Sequence, residues 1–202
     1  MTYDILIIFG SYLLGSLSTA ILTCKILGLP DPRKVGSGNP GATNVLRAGG
    51  KKAALITLAG DALKGFTPVL LSASLDLPAL IIALAGLAAF MGHLYPIFFR
   101  FKGGKGVATA LGVIYGLNPL AGVAVSITWL CSALITRISS LSALIAFLLA
   151  PIYLYALLDS LNTIVITGVI SLMITWRHRR NIHNLWQGSE PRIGQNSVNK
   201  ST

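Results

Sequence analysis

Six apolar runs of membrane-crossing length, separated by short polar turns, constrain this chain more than any other feature. A helix needs about 20 mostly apolar residues to cross the hydrocarbon core of a bilayer, and such runs cover roughly 3–27, 53–75, 78–99, 119–136, 139–158 and 160–176. In lipid every backbone N–H and C=O must be satisfied within the protein, so runs of this length are read as helices. Composition agrees: 53% of residues are hydrophobic and 11% charged, against about a quarter charged in soluble domains. The expected fold is therefore an all-α integral membrane protein, with residues 1–190 forming a single polytopic domain. The polar segment 191–202 (PRIGQNSVNKST) is expected to be a disordered tail.

A shorter apolar piece, Gly106 to Leu117, ends at the helix-breaking pair Asn118–Pro119 and reads as a short helix, re-entrant or crossing. Charge placement chooses between topologies. Arg33, Lys34, Arg47, Lys51 and Lys52 form one basic cluster, Arg100, Lys102 and Lys105 a second, Arg177, Arg179 and Arg180 a third. The intervening turns hold Asp4, Asp76 and Asp159 without Lys or Arg. About seven crossings, with the N-terminus outside and the C-terminus cytoplasmic, put all three basic clusters and Arg137 on the cytoplasmic side. Merging 106–136, or also 139–176, into single spans satisfies the rule less well. No Lys or Arg precedes Lys25, so the first apolar run is expected to remain as a span and not serve as a secretory signal. Cys24 and Cys131 lie in distant apolar runs and read as small buried hydrophobes, with no disulfide.

Three polar loops fall on that side. The first, RKVGSGNPGATNVLRAGGKK, sets Gly36, Gly38 and Gly41 among Ser37, Asn39, Pro40, Thr43 and Asn44, with Arg47 beyond. Glycine lets backbone N–H groups approach an anion, hydroxyls and amides add donors, and arginine can grip a phosphate with two parallel hydrogen bonds. A solvated basic loop would explain the charges but not the dense Gly, Asn, Ser and Thr. The second, FKGGKGVAT, places Lys102, Gly103, Gly104, Lys105 and Gly106 at the start of the short helix, where the helix N-terminus adds positive potential. It lacks the spacing of a Walker A loop.

The third loop, WRHRRNIHNLWQGSE, carries His178, Asn181 and His183 at helical spacing. Most of it reads as an amphipathic basic helix on the membrane with Trp186 as interfacial anchor. His178 and Asn181 share a face, and a neutral-range imidazole suits a general base. Inside the spans, Asp61 and Lys64 read as a structural ion pair and His93 as a hydrogen-bonded packing residue. The loops offer only Asp31 and Glu190 as carboxylates, so no acidic cluster for a metal is expected, and there is no G-x-S-x-G elbow. The basic residues press against apolar spans, which argues against a nucleic-acid partner.

VGSGNPGATNVLR, GHLYPIFFRFKGGKGVAT and RHRRNIHNLWQGSE, with LAGDALKG between the first two, resemble the motifs of the bacterial acyl-phosphate glycerol-3-phosphate acyltransferases, the PlsY family. The resemblance runs from about Gly15 to Glu190. It implies a seven-helix enzyme of the bacterial inner membrane that moves a fatty acyl group from acyl phosphate to the 1-hydroxyl of sn-glycerol 3-phosphate. The products would be lysophosphatidic acid and phosphate, with no cofactor and no metal, and the enzyme would act as a monomer on membrane lipid. By the same resemblance Ser37, Arg47, Lys105, His178 and Asn181 form the catalytic site. Lys105 and Arg47 would neutralise phosphate, and Ser37 and Asn181 would hydrogen-bond. His178 would orient substrate or assist proton transfer. The glycines, with Asn39, Thr43, Asn44 and Lys102, would wrap the phosphates. Two positions depart from the family pattern: Asn184 stands where Arg is expected and Ser18 where Pro is common. An exporter for an organic phosphate is the alternative that intramembrane Asp61 and Lys64 would suit.

Overall fold

The computed structural model describes residues 2–194, and within them every regular element is a helix. In chain order these are α1 (Thr2–Gly15), α2 (Thr19–Ile26), α3 (Ala42–Ser74), α4 (Ala79–Leu94), α5 (Val107–Leu117), α6 (Pro119–Thr136), α7 (Ser139–Leu157), α8 (Leu161–Arg177) and α9 (Arg179–Trp186). A single 3-10 turn, Ile97–Phe99, follows α4. Helices α3, α4 (continued through Phe99), α6 and α7 are long and apolar enough to span, α1 and α2 are so only when taken together as one bent pair, and α5 and α8 are shorter apolar helices.

The expected first span is not one straight helix. It breaks after Gly15, and its halves meet at 43°. A tertiary partner meets the break: Lys64, 47 residues away, donates from Nζ to the Leu17 carbonyl at 2.8 Å. That carbonyl sits where the two helices part, and a charged donor satisfies it inside the membrane. The first basic segment also differs from a plain loop, because α3 begins at Ala42. Gly50, at φ 77° and ψ −177°, divides α3 into a short leading helix carrying Arg47 and the span proper.

The Asn118–Pro119 break separates α5 from α6 as expected. Asn118 Oδ1 accepts from the Ala121 N–H at 3.0 Å, so the residue that ends one helix caps the next. Tyr115 Oη lies 3.0 Å from Ser126 Oγ. Eleven residues along a continuous helix would span about 16 Å, so α6 folds back on α5. A merged 106–136 span is excluded, as is a merged 139–176 span, since α7 stops at Leu157 and α8 starts at Leu161.

Packing is that of a membrane bundle. Buried positions are rich in small residues, among them Ala20, Ala53, Ala83, Ala85, Ala89, Ala110, Ala121 and Ala146, while Leu63, Leu71, Leu134, Ile135, Leu148 and Leu172 face outward. Apolar lipid accepts large side chains on the outer faces, and small residues let helices approach closely. The closest approaches are at Gly15 and Gly92 between α1 and α4, and at Gly65 and Gly112 between α3 and α5, where an added Cβ would strike backbone atoms. Around Phe90, Val113, Phe147 and Ile170 the helices α4 to α8 close a common core.

Asp61 and Lys64 form the expected ion pair at 2.9 Å, both buried. Both cysteines are free; Cys24 is buried, but Cys131 lies on the exposed face of α6, against expectation. At residues 191–194 the Ile193 N–H donates to the Arg137 carbonyl at 2.6 Å. The rest of the expected tail, 195–202, lies outside the described residues.

Candidate active site

The first loop is shaped by one buried side chain. Asn44 donates from Nδ2 to the carbonyls of Pro32 (2.8 Å) and Val35 (3.1 Å), and its Oδ1 accepts from the Ser37 N–H at 3.0 Å. Asn44 is 2% exposed, so its amide is committed to the loop and not offered to a ligand. Gly36 and Gly38 both take left-handed backbone (φ 58° and 69°), and a Cβ on Gly36 would strike the Asn44 amide. The loop therefore needs glycine there and presents Ser37 and Thr43 exposed, with Asn39 half-buried.

The second loop leads into α5 with Gly106 as its left-handed N-cap (φ 84°). Arg177, the last residue of α8, donates to the carbonyls of Gly103 (2.9 Å) and Gly104 (2.8 Å). Those oxygens, which would repel an anion, are thereby occupied. The Gly104 N–H is also occupied, by the His93 carbonyl at 3.2 Å. Gly104 therefore serves as a close-packing residue, pressed between His93 and the Pro40 carbonyl. The backbone donors left for an anion are those of Gly103, Lys105, Gly106 and the first turn of α5. Lys102 is exposed at the rim.

Lys105 joins the second loop to the third. Its Nζ donates to Asn181 Oδ1 at 2.6 Å, and Asn181 Nδ2 donates to Glu190 Oε1 at 2.6 Å. Burial lowers the Lys105 pKa to about 8; the cations Arg177, Arg47 and Arg180 push the same way and Glu190 opposes them. Arg47 from the first segment, Lys105 from the second and the arginines of the third thus act on one point.

His178 sits at the corner between α8 and α9, 2% exposed. Its Nδ1–H donates to the Ile174 carbonyl at 2.8 Å, which fixes the tautomer and leaves the Nε2 lone pair free of the proton. Burial, reinforced by the Lys105 charge, lowers its pKa to about 4. The imidazole is therefore neutral near pH 7, a hydrogen-bond acceptor at Nε2 and a weak proton base.

Sequence reasoning missed Glu190, Ser139, Ser140 and Arg177 as site residues. Glu190 accepts from Asn181, from Ser140 Oγ (2.6 Å) and from Asn184 Nδ2 (3.1 Å). Asn184, where the family pattern suggests Arg, is thus part of the clamp on this carboxylate. Thr43 Oγ1 and Ser139 Oγ are 3.2 Å apart, so the start of α7 touches the first segment as well as the third. Among the described residues no cluster of three or more His, Cys, Asp or Glu side chains could hold a metal ion.

Fold and site together define a polytopic α-helical membrane protein with one cationic, glycine-lined cluster built from three inter-helix segments. The chain matches the glycerol-3-phosphate acyltransferase family over residues 5–188 and belongs to it. It is 55% identical over 195 residues to the glycerol-3-phosphate acyltransferase of Thioalkalivibrio sulfidiphilus, covering 96% of each chain. It is also 55% identical to that of Hydrogenovibrio crunogenus over 187 residues, 92% of this chain and 90% of the other. Its fold is similar to the crystal structure of PlsY (YgiH), an integral membrane glycerol 3-phosphate acyltransferase, in its glycerol 3-phosphate form. There the TM-score is 0.91 at 40% identity, covering 95% of this chain and 96% of that one. The lysophosphatidic acid form gives 0.89 at 39% identity.

Proposed function

We propose that this glycerol-3-phosphate acyltransferase takes its acyl group from an acyl phosphate and works at the cytoplasmic face of a bacterial inner membrane. The 1-hydroxyl oxygen of sn-glycerol 3-phosphate attacks the acyl carbonyl carbon. The bond from that carbon to the phosphate oxygen breaks, and phosphate leaves with the electron pair. The hydroxyl proton ends on the departing phosphate, whose oxygens are more basic than His178. Lysophosphatidic acid and inorganic phosphate result.

The observation that carries this reading is the convergence of Arg47, Arg177 and Arg180 on Lys105, which is itself bonded to Asn181. Both substrates bear phosphate, and the desolvated Lys105 ammonium neutralises charge more effectively there than it would in water. Lys105 and Arg47 neutralise the phosphates, and the α5 N-terminus and Ser37 donate hydrogen bonds. His178, neutral and with its Nε2 lone pair unprotonated, accepts a hydrogen bond from the substrate hydroxyl and orients it. A mixed anhydride already has a good leaving group, so positioning and charge stabilisation supply the catalysis. The carrier alternative loses its motif, because Asp61 and Lys64 are committed to each other and to the Leu17 carbonyl.

Lys105→Ala and Arg47→Ala test the assignment. Each should insert and fold yet lose on the order of a hundredfold or more in kcat/KM, the range for removing one preorganised charge donor. Near-normal turnover in both purified variants would contradict it.

A further inference from the structure

The sequence motif around Asp61 and Lys64 and the buried His93 take no part in the chemistry above, yet they lie directly behind it. His93, near the end of α4, is 8% exposed. Three elements meet at its ring. From α5, Thr109 Oγ1 lies 3.2 Å from Nδ1, close enough to share one hydrogen bond. From α3, Asp61 Oδ1 lies 3.6 Å from the same nitrogen, an electrostatic neighbour beyond hydrogen-bond length. On the opposite edge, Nε2 abuts Gly104, where an added Cβ would collide with it. The His93 carbonyl meanwhile takes the Gly104 N–H at 3.2 Å, and Gly103 packs against it so closely that a side chain would not fit.

Asp61 is in turn held by Lys64 at 2.9 Å, and Lys64 is anchored on the Leu17 carbonyl at 2.8 Å. A fixed line therefore runs from the α1–α2 break, through α3, to the back of the second loop.

We infer that His93 is a positioning residue for phosphate binding: clamped between Thr109 and the Asp61–Lys64 ion pair, it holds the Gly103–Gly104 backbone where Lys105 and the start of α5 meet the substrate. The ring touches both ends of the loop, the glycines before Lys105 and the first turn of α5 after it. Without the clamp the loop loses its backing at the residue next to Lys105. The inference rests on the reading of the 103–106 loop as the phosphate site.

The test uses purified full-length protein and measures KM and kcat for glycerol 3-phosphate at saturating acyl donor. His93→Phe keeps the ring volume and removes both nitrogens. KM should rise about tenfold, the size of one lost hydrogen bond in a charged site, with kcat within about threefold of wild type. His93→Asn returns an amide near the Nδ1 position, re-forms the contact to Thr109, and should recover most of the loss. A role confined to folding would lower kcat with the folded fraction and leave KM alone. Thr109→Val deletes only the hydroxyl, carries the same expectation, and stands in if His93→Phe fails to insert. Unchanged KM in the folded variants overturns the inference. Lys105→Ala separates the two levels: if it too leaves KM and kcat unmoved, the phosphate-loop reading fails, and if it alone is impaired, only the role of His93 does.

Discussion

Lys105 and His178 have opposite electrostatic roles although they lie in one cluster. The Lys105 ammonium is present below its pKa of about 8 and is lost above it, when attraction for phosphate weakens. The kcat/KM profile of the free enzyme should therefore fall through an alkaline limb near pH 8, and Lys105→Arg should push that limb beyond the alkaline end of the profile, because guanidinium stays charged. His178 has its pKa lowered from 6.5 to about 4, so it is already neutral at pH 6. His178 should contribute no break near 6.5 to the same profile, where only the second ionisation of the substrate phosphate, at about 6, is expected, and a break that disappears in His178→Gln would contradict the neutral assignment. The sign for stability follows: the group contributes fully above 6.5, and the contribution is lost as pH falls toward 4. Of this cluster Arg47, Lys105, Asn181 and His178 were legible in residue type and loop context. Glu190 was not, because a carboxylate beside a phosphate site reads as repulsive until its three donors are seen.

At the scale of helices, the long spans and the α5–α6 break follow from apolar length and the Asn–Pro signal. The break between α1 and α2 and the kink at Gly50 do not. The first depends on Lys64 reaching a carbonyl 47 residues away, which no local pattern records. That dependence is testable. Lys64→Met leaves the Asp61 charge uncompensated in the membrane interior and the Leu17 carbonyl without its donor, at a cost of several kcal/mol. Thermal unfolding in detergent should show a marked drop in Tm for Lys64→Met. The double variant Lys64→Met/Asp61→Leu, which buries no charge, should recover part of it. Equal losses in the single and double variants would mean the pair is not the element that holds the bend.

For the whole molecule, small residues line the closest helix contacts, Phe90, Phe147 and Ile170 fill the core, large apolar residues also cover the outer faces, and the cationic site is assembled from segments at α3, α5 and the α8–α9 corner. We propose seven crossings, which would place these segments in the cytoplasm and the turns holding Asp76 and Asp159 outside. Single cysteines at 76 and 159 should then react with an impermeant thiol reagent in whole cells, in a background lacking Cys131, while a cysteine at 52 or 102 should react only after permeabilisation. The reverse pattern would overturn the orientation and with it the cytoplasmic site. The most direct test of the central claim is turnover by the purified protein with glycerol 3-phosphate and palmitoyl phosphate in the presence of EDTA, and with palmitoyl-CoA as a parallel donor. Lysophosphatidate and phosphate formed in equal amounts from acyl phosphate is the predicted result; product from palmitoyl-CoA alone, or none from either donor in folded protein, would contradict it.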